Sequence, residues 1–438
     1  MTMKPTDVHA TLGKYMLADG FDLVLDLKKS KGCRIYDSRT GRYFLDGFSF
    51  FATAPVGCNH PEMTTPDFIK KMGEIAINNP TNSDVYTVEM AEFVDAFGKY
   101  AMPKHFHHLF FIAGGALAIE NGIKTAFDWK IRKNIERGNG KKGRQVIHFK
   151  DAFHGRTGYT LSMTNTFNQN KTKYFTKFNW PRIDNPMIRF PITDANLKDL
   201  QGREQHAVEQ IQEVVAQNPD DIAALIIEPI QGEGGDNHFR KEFFLQLRKL
   251  CDEYEMMFII DEVQSGVGLT GKMWAYQHFD FEPDILAFGK KTQICGIMVS
   301  NRVDEVKDNV FAIPSRLNST WGGNLADMVR CQKYLEIIEE EHLVKNAETQ
   351  GKHLLAGLEA IQMKYPQKIS NARGKGLMCA FDLPTPELRD KLQGQLYGNG
   401  LLVLTCGSVT IRFRPPLNIT PEEIDESLAI VEKTMKTF

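Results

Sequence analysis

Lys290 follows the apolar run Asp284–Phe288 across a single glycine, Gly289. A lysine just past a buried strand can be desolvated, which lowers its pKa and makes its amine a usable nucleophile. The plainer alternative is a pair of solvated lysines, Lys290 and Lys291, at a strand end. Asp261 closes another apolar run, Met257–Asp261. A carboxylate at the carboxyl end of a buried strand sits where open α/β sheets place ligands. It is expensive to bury unless it meets a cation or a donor. The same Asp-Glu pattern holds magnesium in nucleotide-binding proteins, so it is shared between classes. Arg412 and Arg414 alternate with Ile411 and Phe413, which puts both guanidinium groups on one strand face. Arginine pairs carboxylates through two parallel hydrogen bonds, so a substrate clamp and a structural salt bridge are both open here.

Two stretches could cradle a phosphate. Phe110–Glu120 reads as a strand, a Gly114-Gly115-Ala116 turn and a helix start, where unpaired N–H groups and the helix dipole favour anions. Alone, it is equally a tight strand-to-helix turn. Asn318–Gly323 is rich in hydroxyls and glycine and includes Thr320. A nucleotide-type phosphate loop at Gly289-Lys290 fails on spacing, because Asp284 stands where that loop needs glycine and Lys291 follows Lys290. Gln231–Gly235 lacks the lysine of such a loop. His105–His108 has no second ligand set at metal-type spacing.

These residues need a scaffold, and the chain's periodicity supplies one. Candidate strands are His108–Ile112, Gln145–Phe149, Ile222–Glu228, Met257–Asp261, Asp284–Phe288 and Ile297–Ser300. Helical patterns lie between them. In Arg240–Glu255, Phe243, Phe244, Leu247, Leu250, Cys251 and Tyr254 recur on one face. Alternation of this kind predicts an α/β protein with a mainly parallel sheet flanked by helices. After about residue 322 the pattern changes to two long helices, Leu325–Glu340 and Leu343–Lys364, then strands near Gly376–Leu383, Leu401–Thr405 and Thr410–Phe413. A last helix begins with Thr420, Pro421 and Glu423, a capping box. Cys33–Asp46 alternates around an Arg-Thr-Gly turn and reads as a hairpin. Expected domains are therefore a 61–322 large domain and a smaller α+β domain built from 323–438 plus the 1–60 segment. Glu136–Arg144 reads as a surface loop.

The chain has 438 residues, 42% apolar and 25% charged, with a net charge of −2. That is ordinary globular composition. It gives no electrostatic reason to expect nucleic acid or an anionic membrane as a partner. No apolar run is long enough to span a bilayer. Seven scattered cysteines with no C-x-x-C pair predict reduced thiols, no structural zinc and a cytoplasmic protein.

Each signal is weak singly, but their order is specific: Gly-Gly-Ala at a helix start, Phe153-His-Gly-Arg156, Glu228-Pro with Gly-Glu233-Gly-Gly, Asp261-Glu-Val-Gln264, Gly289-Lys290, Thr320 and Arg412. In this order the sequence resembles the fold-type I, class III aminotransferases that use pyridoxal phosphate, over essentially the whole chain. Within the class it is most similar to the lysine 6-aminotransferase (lysine ε-aminotransferase) branch. Ala126–Lys130, Ala287–Gln293, Ser315–Asn324, Gly376–Ala380 and Arg412–Pro416 carry that likeness. Leu269 stands where many class III members have arginine, a departure shared with that branch. Ala113 and Gly122 look less usual, and the sequence offers no functional account of either.

The resemblance implies that Lys290 forms the Schiff base with the cofactor and then shuttles the substrate proton. Asp261 would keep the ring nitrogen protonated, so that the ring acts as an electron sink. Gln264 would bond the ring hydroxyl and Phe153 would stack on the ring. Gly115 and Ala116 would meet the phosphate, and Thr320 would reach it from a partner subunit, which makes a homodimer with shared sites. Arg156 would bind the distal carboxylate of L-lysine. Arg412 would bind the carboxylate next to the reacting carbon of 2-oxoglutarate, and Glu233 would pair with Arg412 when lysine is bound. The implied products are 2-aminoadipate 6-semialdehyde and glutamate. The alternatives are another ω-aminotransferase using ornithine, 4-aminobutyrate or a diamine, a nucleotide-dependent α/β enzyme, and a catalytically silent homologue.

Overall fold

The computed structural model describes residues 3–438. Its strands, in chain order, begin with β1 (Arg34–Tyr36), β2 (Tyr43–Asp46), β3 (Phe106–Ile112), β4 (Gln145–Phe149) and β5 (Arg182–Ile183). Next come β6 (Ile222–Ile227), β7 (Ile230–Gln231), β8 (Asn237–His238), β9 (Met257–Asp261), β10 (Ile285–Phe288) and β11 (Cys295–Ser300). The last are β12 (Ser370–Lys375), β13 (Met378–Asp382), β14 (Leu401–Leu402), β15 (Leu404–Cys406) and β16 (Thr410–Phe413).

Seven strands form the main sheet in the order β3-β11-β10-β9-β6-β4-β5. All neighbours pair parallel except at β11, which runs against both β10 and β3. Alternate residues of the central strands feed two separate cores. Leu225, Ile227, Phe258 and Ile260 pack with Phe243, Phe244 and Leu247 of the helix Lys241–Glu253. Ala224, Ile226, Met257 and Ile259 pack with Ala118, Ile119, Ile123 and Trp129 of the helix Gly115–Glu136. Burial on both faces explains why these strands read as continuous apolar runs rather than alternating ones. Gly122 lies in that contact: a Cβ there would meet Ile285 and Ile297 at 3.4 and 3.6 Å, ordinary packing distances.

The carboxyl-terminal region adds a second, antiparallel sheet, β12-β13-β16-β15. The hairpin β1-β2 joins the distant β14, with Leu45 paired in parallel to Leu401. The two ends of the chain are further locked by Arg34, which bonds Glu426 through both guanidinium nitrogens at 2.8 and 2.5 Å. The last helix, Pro421–Thr437, carries the expected capping box, with Thr420 and Glu423 exchanging bonds of 3.1 and 3.3 Å.

Candidate active site

The carboxyl ends of β3, β4, β6, β9 and β10 open onto one cavity of about 760 Å³. Open α/β sheets place ligands at such an edge, and the volume is that of a small-molecule site. Each strand delivers a different group. Gly115 and Ala116 follow β3, Phe153 and Arg156 follow β4, Asp261 ends β9 with Gln264 after it, and Lys290 follows β10.

Lys290 and Lys291 diverge. Lys290 lines the cavity, while the Lys291 ammonium is buried and donates to the Gln264 carbonyl at 2.8 Å. Burial, with Arg412 and Arg414 nearby, pulls the Lys290 amine down to about 8, against the pull of Asp261 and Glu228. A neutral fraction of about a tenth at pH 7, far above that of an ordinary lysine, suits a nucleophile or proton carrier. Lys290 is held in the left-handed region at φ 54°. Gln293 braces it by bonding both the Lys290 carbonyl, at 3.1 Å, and the Thr53 carbonyl, at 2.7 Å. Thr53 itself follows four consecutive left-handed residues, Ser49–Ala52, at φ 40–64°. Such a turn costs roughly 1–2 kcal/mol per residue, so strain is concentrated at the cavity wall.

Asp261 accepts from the Val263 N–H at 3.1 Å and from His154 Nδ1 at 2.8 Å. Glu228 also lines the cavity and accepts from the N–H groups of Phe153 and Gly232 at 2.9 and 3.1 Å. Burial pushes its carboxyl well up. The anion cradle is built by close approach. A Cβ on Gly155, at φ 132°, would stand 2.5 Å from the Ala116 Cβ, and one on Gly115 would meet Val263 at 3.0 Å. The helix beginning at Gly115 is 22 residues long, and its first N–H groups have no partner within the helix.

Arg412 and Arg414 lie side by side behind Gln264. Arg414 pairs with Asp236, both fully buried. Arg412 pairs with Glu233 at 2.8 Å. Both guanidinium groups donate to Gln264 Oε1, Arg412 at 3.3 Å and Arg414 at 3.1 and 3.2 Å. With its oxygen so committed, Gln264 has its NH₂ end free for an acceptor in the cavity. Burial would raise the Glu233 carboxyl, but Arg412 and Lys171 outweigh it and hold it below the usual range. Arg156 stands exposed at the mouth, its guanidinium 5.7 Å from the centre of the Phe153 ring.

Of the residues singled out from the sequence, Gly115, Ala116, Phe153, Arg156, Asp261, Gln264 and Lys290 meet in the cavity. Glu233 and Arg412 adjoin it through Gln264. Thr320 does not enter the cavity of its own chain. It is exposed, on a loop pinned by Asn82 and Ser83 to Gly323 and Ser319. Sequence reasoning gave no role to His154, Glu228, Thr53, Cys295 or Asp327, which also line the cavity. Glu228 follows an apolar strand just as Asp261 ends one, so the same rule could have found it. The histidines of 105–108 go elsewhere, with His108 paired to Asp304 at 2.9 Å.

The class III aminotransferase family model matches residues 16–435. The chain belongs to the class III aminotransferases. Among characterised class III members, the L-lysine-epsilon aminotransferase of Mycobacterium tuberculosis is 50% identical over 433 residues, covering 98% of this chain and 96% of that protein. The enzyme of the same name from Amycolatopsis lactamdurans is 47% identical, covering 96% and 94%. A solved structure of the Mycobacterium tuberculosis lysine aminotransferase in the internal aldimine form superposes with a TM-score of 0.97 at 49% identity, covering 99% of this chain and all of that one. The fold of this class III enzyme is therefore the fold-type I architecture expected from its sequence.

Proposed function

We propose that this class III aminotransferase moves the ε-amino group of L-lysine to 2-oxoglutarate, giving 2-aminoadipate 6-semialdehyde and glutamate, with pyridoxal 5'-phosphate as cofactor. The carrying observation is one cavity that combines a lysine with a lowered pKa, a buried aspartate and a glycine-lined helix start. The 50% identity to the mycobacterial lysine enzyme supports the choice of substrate.

The residues present fit the cofactor. The cradle at Gly115 and Ala116 suits its phosphate, Phe153 its ring face, and the free NH₂ of Gln264 its phenolic oxygen. Asp261, itself held by His154, would hold a proton on the ring nitrogen. When bound, the cofactor supplies an electron sink for the carbon bearing the amine. Lys290, whose amine lines the cavity with a lowered pKa, would hold the cofactor and serve as the proton carrier at its Nζ. Arg156, at the mouth, binds the α-carboxylate of lysine while its ε-amine reaches inward. Arg412 binds the carboxylate beside the keto group of 2-oxoglutarate, and Glu233 neutralises Arg412 when lysine's methylene chain lies there.

Thr320 of the partner subunit completes the phosphate site in a homodimer; its exposure and its absence from the lining of its own cavity support that reading. The 323–438 region and the 1–60 segment act as one small domain, supported by the pairing of β14 with β2. Seven free thiols support a cytoplasmic setting. Among the described residues, no helix is long and apolar enough to cross a membrane.

Anaerobic titration of the holoenzyme with L-lysine tests the reading. Its visible band is expected to bleach and to return with 2-oxoglutarate. Bleaching by ornithine or 4-aminobutyrate alone would keep the class and overturn the substrate. No band after adding pyridoxal phosphate would overturn both.

A further inference from the structure

Glu233 touches two cations. One carboxylate oxygen accepts from Arg412, and the other from Lys171, on the short turn Gln169–Lys171. The Lys171 ammonium also lies 5.6 Å from the centre of the Phe153 ring, a ring that lines the reaction cavity. Glu233 also lines a second cavity of about 380 Å³, together with Lys171, Asn168, Thr405 and Gly407 and without Arg412. Glu233 therefore has room to turn from Arg412 while staying beside Lys171.

Charge accounting decides what Lys171 does. Arg412, Lys171 and Glu233 sum to one positive charge, so a carboxylate arriving at Arg412 leaves the cluster neutral. Without Lys171, the same carboxylate leaves one uncompensated negative charge in a largely buried site, which is strongly unfavourable. Among the described residues, no other cation near Glu233 is available for this. Arg389 lines the second cavity but is held by Asp390 and by the carbonyls of Gly407 and Ser408. Arg414 is held by Asp236, and the nearby Cys406 thiol is kept neutral by burial.

We propose that Lys171 is a specificity-determining residue: it receives Glu233 when the carboxylate of the keto acid takes Arg412. This rests on the transaminase reading above and deepens it to the acceptor half of the reaction. Lys171 stays a positioning residue, since it holds Glu233 rather than the substrate.

The test separates the half-reactions in single turnovers of the holoenzyme. Lys171→Gln is expected to lower kcat/KM for 2-oxoglutarate by about 10- to 30-fold, and that for L-lysine by less than about threefold. The acceptor half-reaction of the variant should fall as pH rises, because Glu233 must then be protonated to leave Arg412. Lys171→Arg should restore the wild-type value and profile. Equal losses in both half-reactions, or none, would overturn the proposal. Calorimetry with glutarate, an unreactive dicarboxylate, gives a readout independent of turnover. Binding to Lys171→Gln should take up about one proton, and binding to wild type close to none. Equal proton uptake by the two proteins would overturn the role of Lys171. If the wild-type holoenzyme turns over neither L-lysine nor 2-oxoglutarate, the substrate reading fails, and the glutarate result still decides on Lys171.

Discussion

His154 Nδ1 stands 2.8 Å from Asp261 Oδ2, with both side chains almost completely buried. The histidine fills the coordination of a carboxylate that, among the described residues, has one other donor, the Val263 N–H. His154→Ala leaves a buried carboxylate oxygen unsatisfied, a cost of about 1–3 kcal/mol. Asp261 then holds a proton on a bound ring nitrogen less well. Cofactor affinity is expected to fall about 10-fold, read by fluorescence titration of the apoenzyme, with a parallel loss in kcat. His154→Gln, which keeps a donor near Asp261, should recover part of both. Unchanged affinity and rate in His154→Ala would show that Asp261 needs no second donor.

Lys290 makes a pH prediction. An amine attacks an aldehyde only when neutral, and burial beside two arginines brings this one down to about 8. The neutral form grows as pH rises through that value. The rate of pyridoxal phosphate attachment to the apoenzyme should therefore rise with pH and level off above about 8, rather than near the ordinary lysine value of about 10.4. Borohydride trapping at each pH reads the attached fraction. Lys290→Ala should trap none and lose at least about 100-fold in transamination rate.

The same residues mark how much was legible in the sequence. Gln145–Phe149 and Met257–Asp261 were read to the residue, because burial on both faces makes a strand a continuous apolar run. Ser370–Lys375 was not, because this strand pairs only with β13 and is polar along much of its length. Arg182–Ile183 is too short to carry a period. The reversal of β11 has no composition signal, since strand direction is set by its connections. In the site, the groups at strand ends were legible, and those brought in from elsewhere were not. Thr53 arrives by a left-handed turn of Ser-Phe-Phe-Ala, and nothing in those residue types announces a positive φ. Asp327 arrives on the first turn of the helix Leu325–Glu340, where an acidic residue reads as an ordinary cap neighbour.

Glu233→Gln removes the charge that masks Arg412. Lysine would then place an apolar chain against an unpaired guanidinium. A fully buried unpaired charge costs about 3–5 kcal/mol. The Glu233 side chain is 23% exposed, so solvent screens part of that. The lysine half-reaction is expected to lose about 10- to 100-fold in kcat/KM, while glutamate, with a carboxylate for Arg412, gains as a donor. Stopped-flow bleaching with each amino acid measures the ratio. An unchanged ratio would mean that Glu233 does not govern donor choice.

Asp46 gives a stability prediction of definite sign. Its Oδ1 accepts from the N–H groups of Phe48 and Ser49 at 2.9 and 2.7 Å, while its Oδ2 is buried without a partner. Burial raises the carboxyl to about 6, against those two donors. Between about pH 4 and 6 the folded protein therefore binds more protons here than the unfolded chain, and stability falls as pH rises through that window. Above it, the full penalty of about 3 kcal/mol applies. Asp46→Asn keeps an oxygen for the two N–H donors and never ionises. Its NH₂ takes the unpartnered position at every pH, so the informative quantity is how its Tm difference from wild type changes with pH. At fixed cofactor concentration, that difference should move in favour of the variant by about 1.5 °C between pH 5, where about half of the penalty already applies, and pH 8. A difference that stays constant across this range would mean that Asp46 ionises as readily in the folded protein as in the unfolded chain.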